Sequence, residues 1–210
     1  MIARLVFAFA LLLLAAPARA QYDPLRTEQN FMMPMRDGAR MATDIYRPAR
    51  SGAAVDAKFP VLLHRTPYDK TGQKSIAEYF AKDGYVVVVQ DIRGRYKSEG
   101  KFLKVQPLDA TDGYDAVQWT AKQPWSNGSV GMWGTSFAAH MQAGAAQYAP
   151  PALRTLVVNM GGMSNAWDHG VRYRGTYEMG RQLTWAWSQL AADAPSAAVR
   201  KLLTETEKVE

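Results

Sequence analysis

The sequence contains no cysteine among its 210 residues, so disulfide bonds, thiolate metal sites and a cysteine nucleophile are excluded. Histidine is almost as scarce: the chain has three, His64, His140 and His169, and their spacing matches no metal-binding motif. Basic residues outnumber acidic ones, 25 to 19, but they are scattered and form no lysine-rich block or recognisable nucleic-acid module. We therefore expect no metal, no organic cofactor and no nucleic-acid partner.

Long hydrophobic runs are also absent, except at the N-terminus. There Arg4 precedes an uninterrupted apolar run over residues 5–16, and a small-x-small site follows at residues 18–20. This order is typical of a secretory signal peptide, and the run is too short for an ordinary membrane span. An uncleaved N-terminal anchor is the alternative. We expect residues 1–20 to be removed, the mature chain to begin near Gln21 in the periplasm or outside the cell, and no membrane span to remain.

Strand and helix patterns alternate between residues 59 and 160. The run YVVVVQ at residues 85–90 is apolar and rich in β-branched residues, which is typical of a strand covered on both faces. Because strand–helix–strand connections are right-handed, we predict an α/β fold with a mostly parallel sheet and helices on both faces. Strands are predicted at residues 59–64, 85–90, 129–133 and 153–160, and helices at 75–83, 109–122 and 136–147.

Two further patterns flank this alternation. Residues 31–48 predict two strands joined by a tight turn at Asp37-Gly38. Residues 164–210 are rich in tryptophan, tyrosine, alanine and charge, and predict a separate helical layer. Within the alternating region, the helix at 75–83 has an apolar side formed by Ile76, Tyr79 and Phe80.

Residues 134–138, GTSFA, lie between a predicted strand and a predicted helix and nearly match the G-x-S-x-G nucleophile elbow. In that turn the serine holds a strained backbone, so the residues two before and two after it must be small. Gly134 meets this requirement, and Ala138 departs from the pattern by one methyl group. The elbow would place Ser136 at a helix N-terminus, where the helix dipole and the free N–H of Phe137 stabilise a developing oxyanion. The alternative is a serine that only caps the helix.

Several ordered segments resemble those of the cocaine esterase and X-prolyl dipeptidyl peptidase family of α/β-hydrolases. They cover about residues 30–165 and read RDGARMATDIYRP, FPVLLHRTPYDK, GYVVVVQDIRGRYKSEG, DGYDAVQW and QPWSNGSVGMWGTSFAA. The resemblance implies an α/β-hydrolase fold and a serine hydrolase that acts through an acyl-enzyme. It implies small-molecule esters, amides or X-Pro dipeptide N-termini as substrates.

The resemblance also assigns roles to single residues. Ser136 matches the nucleophile of the family, and Tyr68 in TPYDK matches the tyrosine whose hydroxyl completes the oxyanion hole. The backbone N–H of Phe137 would be the second oxyanion donor. A phenol is a good neutral donor because it keeps its proton at neutral pH. Without the resemblance, Tyr68 is better interpreted as a turn residue fixed by Pro67.

The charged residues around these segments are interpreted as structural. Arg93 is expected to pair with a carboxylate in its own surroundings. Asp112 and Asp115 lie at the predicted start of a helix, where the helix dipole favours acidic side chains. The remaining residues that match a loop signature of the family are Asp91, Gly94, Ser98, Glu99 and Gly100.

A serine nucleophile needs a base, and in α/β-hydrolases the acid and the histidine follow the serine in the chain. His140 lies one helical turn after Ser136 and would pack beside the helix rather than over the serine hydroxyl. His169 precedes any further strand, and His64 lies upstream. None of the three histidines is therefore predicted to be the base.

In the resembled family, the acid and the histidine follow the last strands of the sheet, beyond an inserted helical cap, and a β-sandwich domain comes after them. We therefore expect an incomplete hydrolase that lacks these parts. An inactive hydrolase-like fragment, or a ligand-binding protein without catalysis, is the alternative. The expected organisation is a signal peptide at 1–20, the N-terminal part of the hydrolase domain at 21–163, and the start of a helical cap at 164–210.

Overall fold

The computed structural model describes residues 21–104, 107–161, 172–173, 176–177 and 179–193. The predicted signal peptide, His169 and much of the predicted cap lie outside the described residues. Within the described ranges, no helix is both long and apolar enough to cross a membrane.

One mixed sheet organises the described chain. Its strands run in the order β1-β2-β5-β4-β6-β7, and the short β3 pairs with β2. β5, β4, β6 and β7 are parallel, whereas β1 and β2 form an antiparallel hairpin that joins β5 in antiparallel register. The strands are β1 (Asp23–Pro34), β2 (Arg40–Arg50), β3 (Ala53–Ala54), β4 (Phe59–Thr66), β5 (Val86–Asp91), β6 (Ser126–Thr135) and β7 (Leu153–Asn159).

Four α-helices accompany the sheet in the described ranges: α1 (Lys74–Lys82), α2 (Pro107–Ala121), α3 (Phe137–Ala146) and α4 (Met179–Asp193). A 3₁₀ turn, Lys70–Gln73, precedes α1, and a small hairpin of β8 (Arg172–Tyr173) and β9 (Thr176–Tyr177) precedes α4. The predicted strands and helices between residues 31 and 160 are therefore confirmed, with ends that differ by a few residues. In the range 164–210, α4 agrees with the helical prediction, whereas β8 and β9 are strands and disagree with it; most of the remaining range lies outside the described residues.

Helices cover both faces of the sheet, as the apolar β5 run predicts. Val87 and Val89 point to one face, where they pack with Ala77 and Ala81 of α1. Val86 and Val88 point to the other face, into a cluster that includes residues of α2 and α3. All four valines are fully buried. A strand buried on both faces keeps no polar side, which is why β5 reads as a continuous apolar run.

The predicted apolar side of α1 is wrong in part. Ile76 is 38% exposed and Tyr79 is 61% exposed, whereas the helix meets the sheet through Ala77 and Ala81. Phe80 packs partly against this contact. The two alanines are four residues apart and therefore share one helix face, and their small side chains let the helix approach the strands closely. The small size of the side chains, rather than their hydrophobicity, distinguishes the face of this helix that contacts the sheet.

The interpretation of Asp112 and Asp115 through the helix dipole is also wrong. Helix α2 begins at Pro107, so both residues lie beyond its first turn. The Asp112 carboxylate accepts two hydrogen bonds from the Arg93 guanidinium, at 2.8 and 2.7 Å. Asp115 pairs with Arg36 at 2.7 Å. The partners lie far away in sequence, so local helix patterns could not identify them.

The loop that follows β5 is held by hydrogen bonds and ion pairs, in agreement with its structural interpretation. Arg93 pairs with Asp37 at 2.9 Å as well as with Asp112, and these carboxylates raise the pKa of its guanidinium. The Ser98 hydroxyl donates to the Asp91 carbonyl oxygen at 2.7 Å. Glu99 pairs with Arg40 at 2.6 Å. The expected pairing of Arg93 with a carboxylate is confirmed.

The two aspartates of α2 offer a matched test of an ion pair between buried side chains against one whose arginine is half exposed. Replacing Asp112 with alanine leaves the buried guanidinium of Arg65, 3.9 Å away, and that of Arg93 without their shared carboxylate. We expect Asp112→Ala to lower the free energy of unfolding by about 3–5 kcal/mol. Asp115→Ala, which removes the partner of a half-exposed arginine and the acceptor of its backbone N–H, should lower it clearly less. Urea unfolding of both variants measures the difference, and equal losses would contradict the buried network.

Candidate active site

Ser136 occupies the turn between β6 and α3 with a backbone conformation rare for a side-chain-bearing residue. Its φ is 58° and its ψ is −120°. Such a conformation is strained and persists only where the surrounding structure holds it. Here the Ser136 N–H donates to the Asn159 carbonyl oxygen at the end of β7, at 3.0 Å. The side chain is exposed, as a nucleophile elbow requires.

Small residues make this turn possible. A Cβ added at Gly134 would lie 2.7 Å from both the Cβ and the carbonyl oxygen of Ala138, so no larger residue fits at position 134. The methyl group of Ala138 is the one departure from the elbow pattern. It is buried in the space that Gly134, which has no side chain, leaves free. Gly161 meets the elbow from the end of β7, where an added Cβ would overlap Ala139 and lie 3.1 Å from the Ser136 carbonyl oxygen. Sequence reasoning missed Gly161; the Gly-Gly pair directly after a strand was the available signal.

Ser136 and Tyr68 line the same cavity. The cavity has a volume of about 370 Å³ and lies at the C-terminal ends of β4 and β6. None of its described lining residues carries a carboxylate, an amine or a guanidinium. They are His64, Thr66, Tyr68, Gln73, Ile76, Trp133, Gly134, Thr135, Ser136 and Ala138. The serine and the tyrosine that the sequence singled out, 68 residues apart in the chain, are thus brought to one site.

Tyr68 lies on the turn that leaves β4. Its backbone N–H donates to the Thr66 hydroxyl at 3.0 Å, which fixes the turn. Its own hydroxyl accepts a hydrogen bond from the indole Nε1–H of Trp185, at 3.3 Å. Trp185 belongs to α4, and sequence reasoning did not identify it, because a single tryptophan in an aromatic-rich segment carries no pattern.

Phe137 begins helix α3 directly after Ser136. Its side chain is buried and stacks on Trp185, with ring centroids 5.8 Å apart and planes 15° apart. The first N–H groups of a helix have no acceptor within the helix, and the helix dipole makes this end electropositive. The backbone beside Ser136 can therefore donate to negative charge that develops there.

His64 lines the cavity as a neutral ring. It is 4% exposed, and its Nδ1–H donates to the Trp133 carbonyl oxygen at 3.0 Å. Burial lowers the pKa of His64 to about 4. His140 lies on α3 and does not line the cavity, and His169 lies outside the described residues. Among the described residues, no histidine or carboxylate is hydrogen-bonded to the Ser136 hydroxyl.

A mostly parallel sheet, an antiparallel lead-in hairpin and a serine on a strained strand-to-helix turn define an α/β-hydrolase. Comparison of the sequence with known families places it more narrowly. Residues 37–209 match the X-Pro dipeptidyl-peptidase (S15) family, and the chain belongs to that family.

Individual relatives agree with this placement. The cocaine esterase of Rhodococcus sp. (strain MB1 Bresler) is 40% identical over 137 residues, which are 62% of this chain and 23% of the esterase. An aminopeptidase from a marine sediment Thaumarchaeota archaeon superposes with a TM-score of 0.64 at 28% identity, over 83% of this chain and 31% of its own. An α-amino acid ester hydrolase superposes with a TM-score of 0.59 at 31% identity, over 76% and 30%. The chain thus spans about a quarter to a third of the length of these relatives.

The elbow can be tested by a substitution that adds one methyl group. Gly134→Ala forces a Cβ against backbone and side-chain atoms of Ala138, and we expect the free energy of unfolding to fall by about 1–3 kcal/mol. Gly144→Ala in the following helix, α3, meets only ordinary contacts at 3.5 Å and should be neutral or slightly stabilising. Thermal unfolding followed by circular dichroism compares the two. A Gly134→Ala protein as stable as the parent would contradict the close approach.

The neutral state of His64 predicts a pH dependence of stability. Because the pKa of an unfolded histidine is near 6.5, the unfolded chain gains a proton before the folded chain as the pH falls. The contribution of neutral His64 to the free energy of unfolding is therefore complete above about pH 6.5 and is lost by about pH 4. The loss is roughly 3 kcal/mol. Urea unfolding at pH 7.5 and 4.5 should show a smaller pH effect in His64→Gln than in the parent. Equal effects in the two proteins would contradict the buried neutral ring.

Proposed function

We propose that the chain carries the nucleophile and oxyanion-binding part of a serine hydrolase that cleaves ester or amide bonds through an acyl-enzyme. One observation carries the proposal: Ser136 stands exposed on a strained turn at the N-terminus of α3, in a cavity that Tyr68 also lines. A serine used only as a helix cap would accept a backbone N–H, and the Ser136 side chain makes no such capping bond.

In the proposed reaction the Ser136 hydroxyl oxygen attacks the carbonyl carbon of the substrate while a base takes up its proton. The carbonyl oxygen becomes negatively charged and receives hydrogen bonds from the Tyr68 hydroxyl and the Phe137 N–H. Collapse of this intermediate breaks the ester or amide bond and releases an alcohol or an amine, which takes a proton from the base. Water then attacks the acyl-serine, releases the acid and restores the serine hydroxyl.

Ester and amide chemistry are supported by the relatives, whose names describe esterases, an ester hydrolase and peptidases. X-Pro dipeptides are included because the matching family is described as X-Pro dipeptidyl-peptidase. The described lining of the cavity, which carries no charged side chain, favours an uncharged acyl group next to the serine. We further propose, from the first twenty residues, that the protein is exported to the periplasm or the exterior.

A second candidate function is ligand binding without catalysis. It is favoured by one observation: among the described residues, no histidine side chain is hydrogen-bonded to the Ser136 hydroxyl. In that case the elbow would be preserved as a fold feature, and the cavity would hold a neutral small molecule without attacking it.

A fluorophosphonate probe with added imidazole separates these functions. Imidazole in solution can act as the general base where no histidine side chain is hydrogen-bonded to the Ser136 hydroxyl. We therefore expect fluorophosphonate labelling that rises with imidazole concentration at pH 8. Ser136→Ala should abolish the labelling. Tyr68→Phe should slow it on the order of 10²-fold, because one oxyanion donor is lost.

Matched variants control for general effects on reactivity and folding. Ser129→Ala removes a serine of β6 outside the cavity lining, and Tyr79→Phe removes an exposed hydroxyl of α1. Both should label at the rate of the parent. Absence of labelling at any imidazole concentration, or labelling that persists in Ser136→Ala, would contradict the hydrolase proposal and favour ligand binding alone.

A further inference from the structure

Trp185 contacts both residues that the proposed function places at the oxyanion. Its indole N–H donates to the Tyr68 hydroxyl at 3.3 Å, and its ring stacks on the Phe137 ring at 5.8 Å. Tyr68 and Trp185 pack against the same buried cluster, formed by Ile92, Phe137 and Met141. One side chain from α4 therefore joins the turn after β4 to the start of α3.

The hydrogen bond limits what the tyrosine hydroxyl can do. A phenol has one proton to donate and accepts through its oxygen. Because the Trp185 N–H occupies the accepting side of the Tyr68 oxygen, the proton of that hydroxyl must point elsewhere. Tyr68 lines the cavity that contains Ser136, so the hydroxyl proton can point into this cavity. Accepting one hydrogen bond also strengthens the bond that a hydroxyl donates.

Trp185 is itself held in place. Phe102 lies beside it with ring centroids 6.3 Å apart, and the Lys104 ammonium lies 3.9 Å from the centre of its ring. The same ammonium is hydrogen-bonded to the side chain of Gln182, which is one turn earlier on α4. A cation over the face of an indole is an attractive contact. The orientation of the indole N–H is thus set by the loop after β5 as well as by its own helix.

We propose that Trp185 is a positioning residue for the oxyanion hole, which directs the single proton of the Tyr68 hydroxyl toward the oxygen bound beside Ser136. The inference rests on the proposed function, since it assigns a purpose to a residue that touches the two oxyanion donors. Trp185→Phe is the informative substitution, because it removes the N–H but keeps an aromatic ring against Phe137.

The hydrogen bond is tested first, without any reaction. In ¹H–¹⁵N spectra of the chain, the indole signal of Trp185 is identified by its absence in Trp185→Phe. Tyr68→Phe removes the acceptor, so this signal should move upfield and exchange faster with solvent. Tyr79→Phe, at an exposed tyrosine, should leave it unchanged. An indole signal of Trp185 that does not shift in Tyr68→Phe would overturn the inference.

The role is tested by the rate of fluorophosphonate labelling with imidazole. We expect Trp185→Phe to slow labelling about five- to tenfold, as loss of one hydrogen bond predicts. In the Tyr68→Phe background the same substitution should change the rate less than about twofold, because the tyrosine hydroxyl it positions is already gone. Trp119→Phe, at a tryptophan of α2 that packs against Phe31 and Trp125 and does not line the cavity, should label like the parent.

The outcomes separate the two proposals. Suppose that the parent is labelled and that Trp185→Phe either is labelled at the same rate or slows labelling equally with Tyr68 and with Phe at position 68. Trp185 then acts independently of Tyr68, and the inference is overturned while the proposed function stands. If the parent does not label at any imidazole concentration, the proposed function fails, and the positioning role fails with it.

Discussion

The strained backbone at Ser136 is the constraint on which the site depends. A residue with a side chain at positive φ costs of the order of 1–3 kcal/mol unless its surroundings hold it. Three contacts do so here: the close approach of Gly134 to Ala138, the hydrogen bond from Ser136 to the end of β7, and the fit of Gly161 against α3. The first lies within the turn from β6 to α3, whereas the other two require β6 and β7 to end side by side, so the exposed hydroxyl depends on the order of strands in the sheet.

A second requirement is that the turn carrying Tyr68 stays fixed relative to this elbow. Buried charged side chains hold this turn in place. The Lys70 N–H donates to the Asp91 carboxylate at 2.8 Å, and its ammonium lies 3.2 Å from the same carboxylate. Burial raises the pKa of Asp91, because the fold removes water from its carboxylate. Arg95 donates to the Pro67 carbonyl oxygen at 3.0 Å and ties the same turn to the loop after β5.

Much of the fold could be predicted from the sequence because its signals are local. The apolar run of β5, the small residues around Ser136 and the Asp-Gly turn each describe their own surroundings. What could not be predicted depends on partners distant in the chain. The inner face of α1 is chosen by how closely strands approach Ala77 and Ala81, and Asp112 is placed by Arg93. Trp185 escaped notice for the same reason, since its contacts with Tyr68 and Phe137 exist only after folding.

The convergence of a hydroxyl, a phenol and a backbone N–H is tested most directly by a crystal structure of the chain with phenylboronic acid. A boronate bonded to the Ser136 oxygen should place one of its own oxygens about 2.7–3.1 Å from both the Tyr68 hydroxyl and the Phe137 nitrogen, the range of oxyanion contacts. A boronate at Ser136 whose oxygens avoid Tyr68, or a serine that stays unmodified at saturating boronate, would contradict the arrangement.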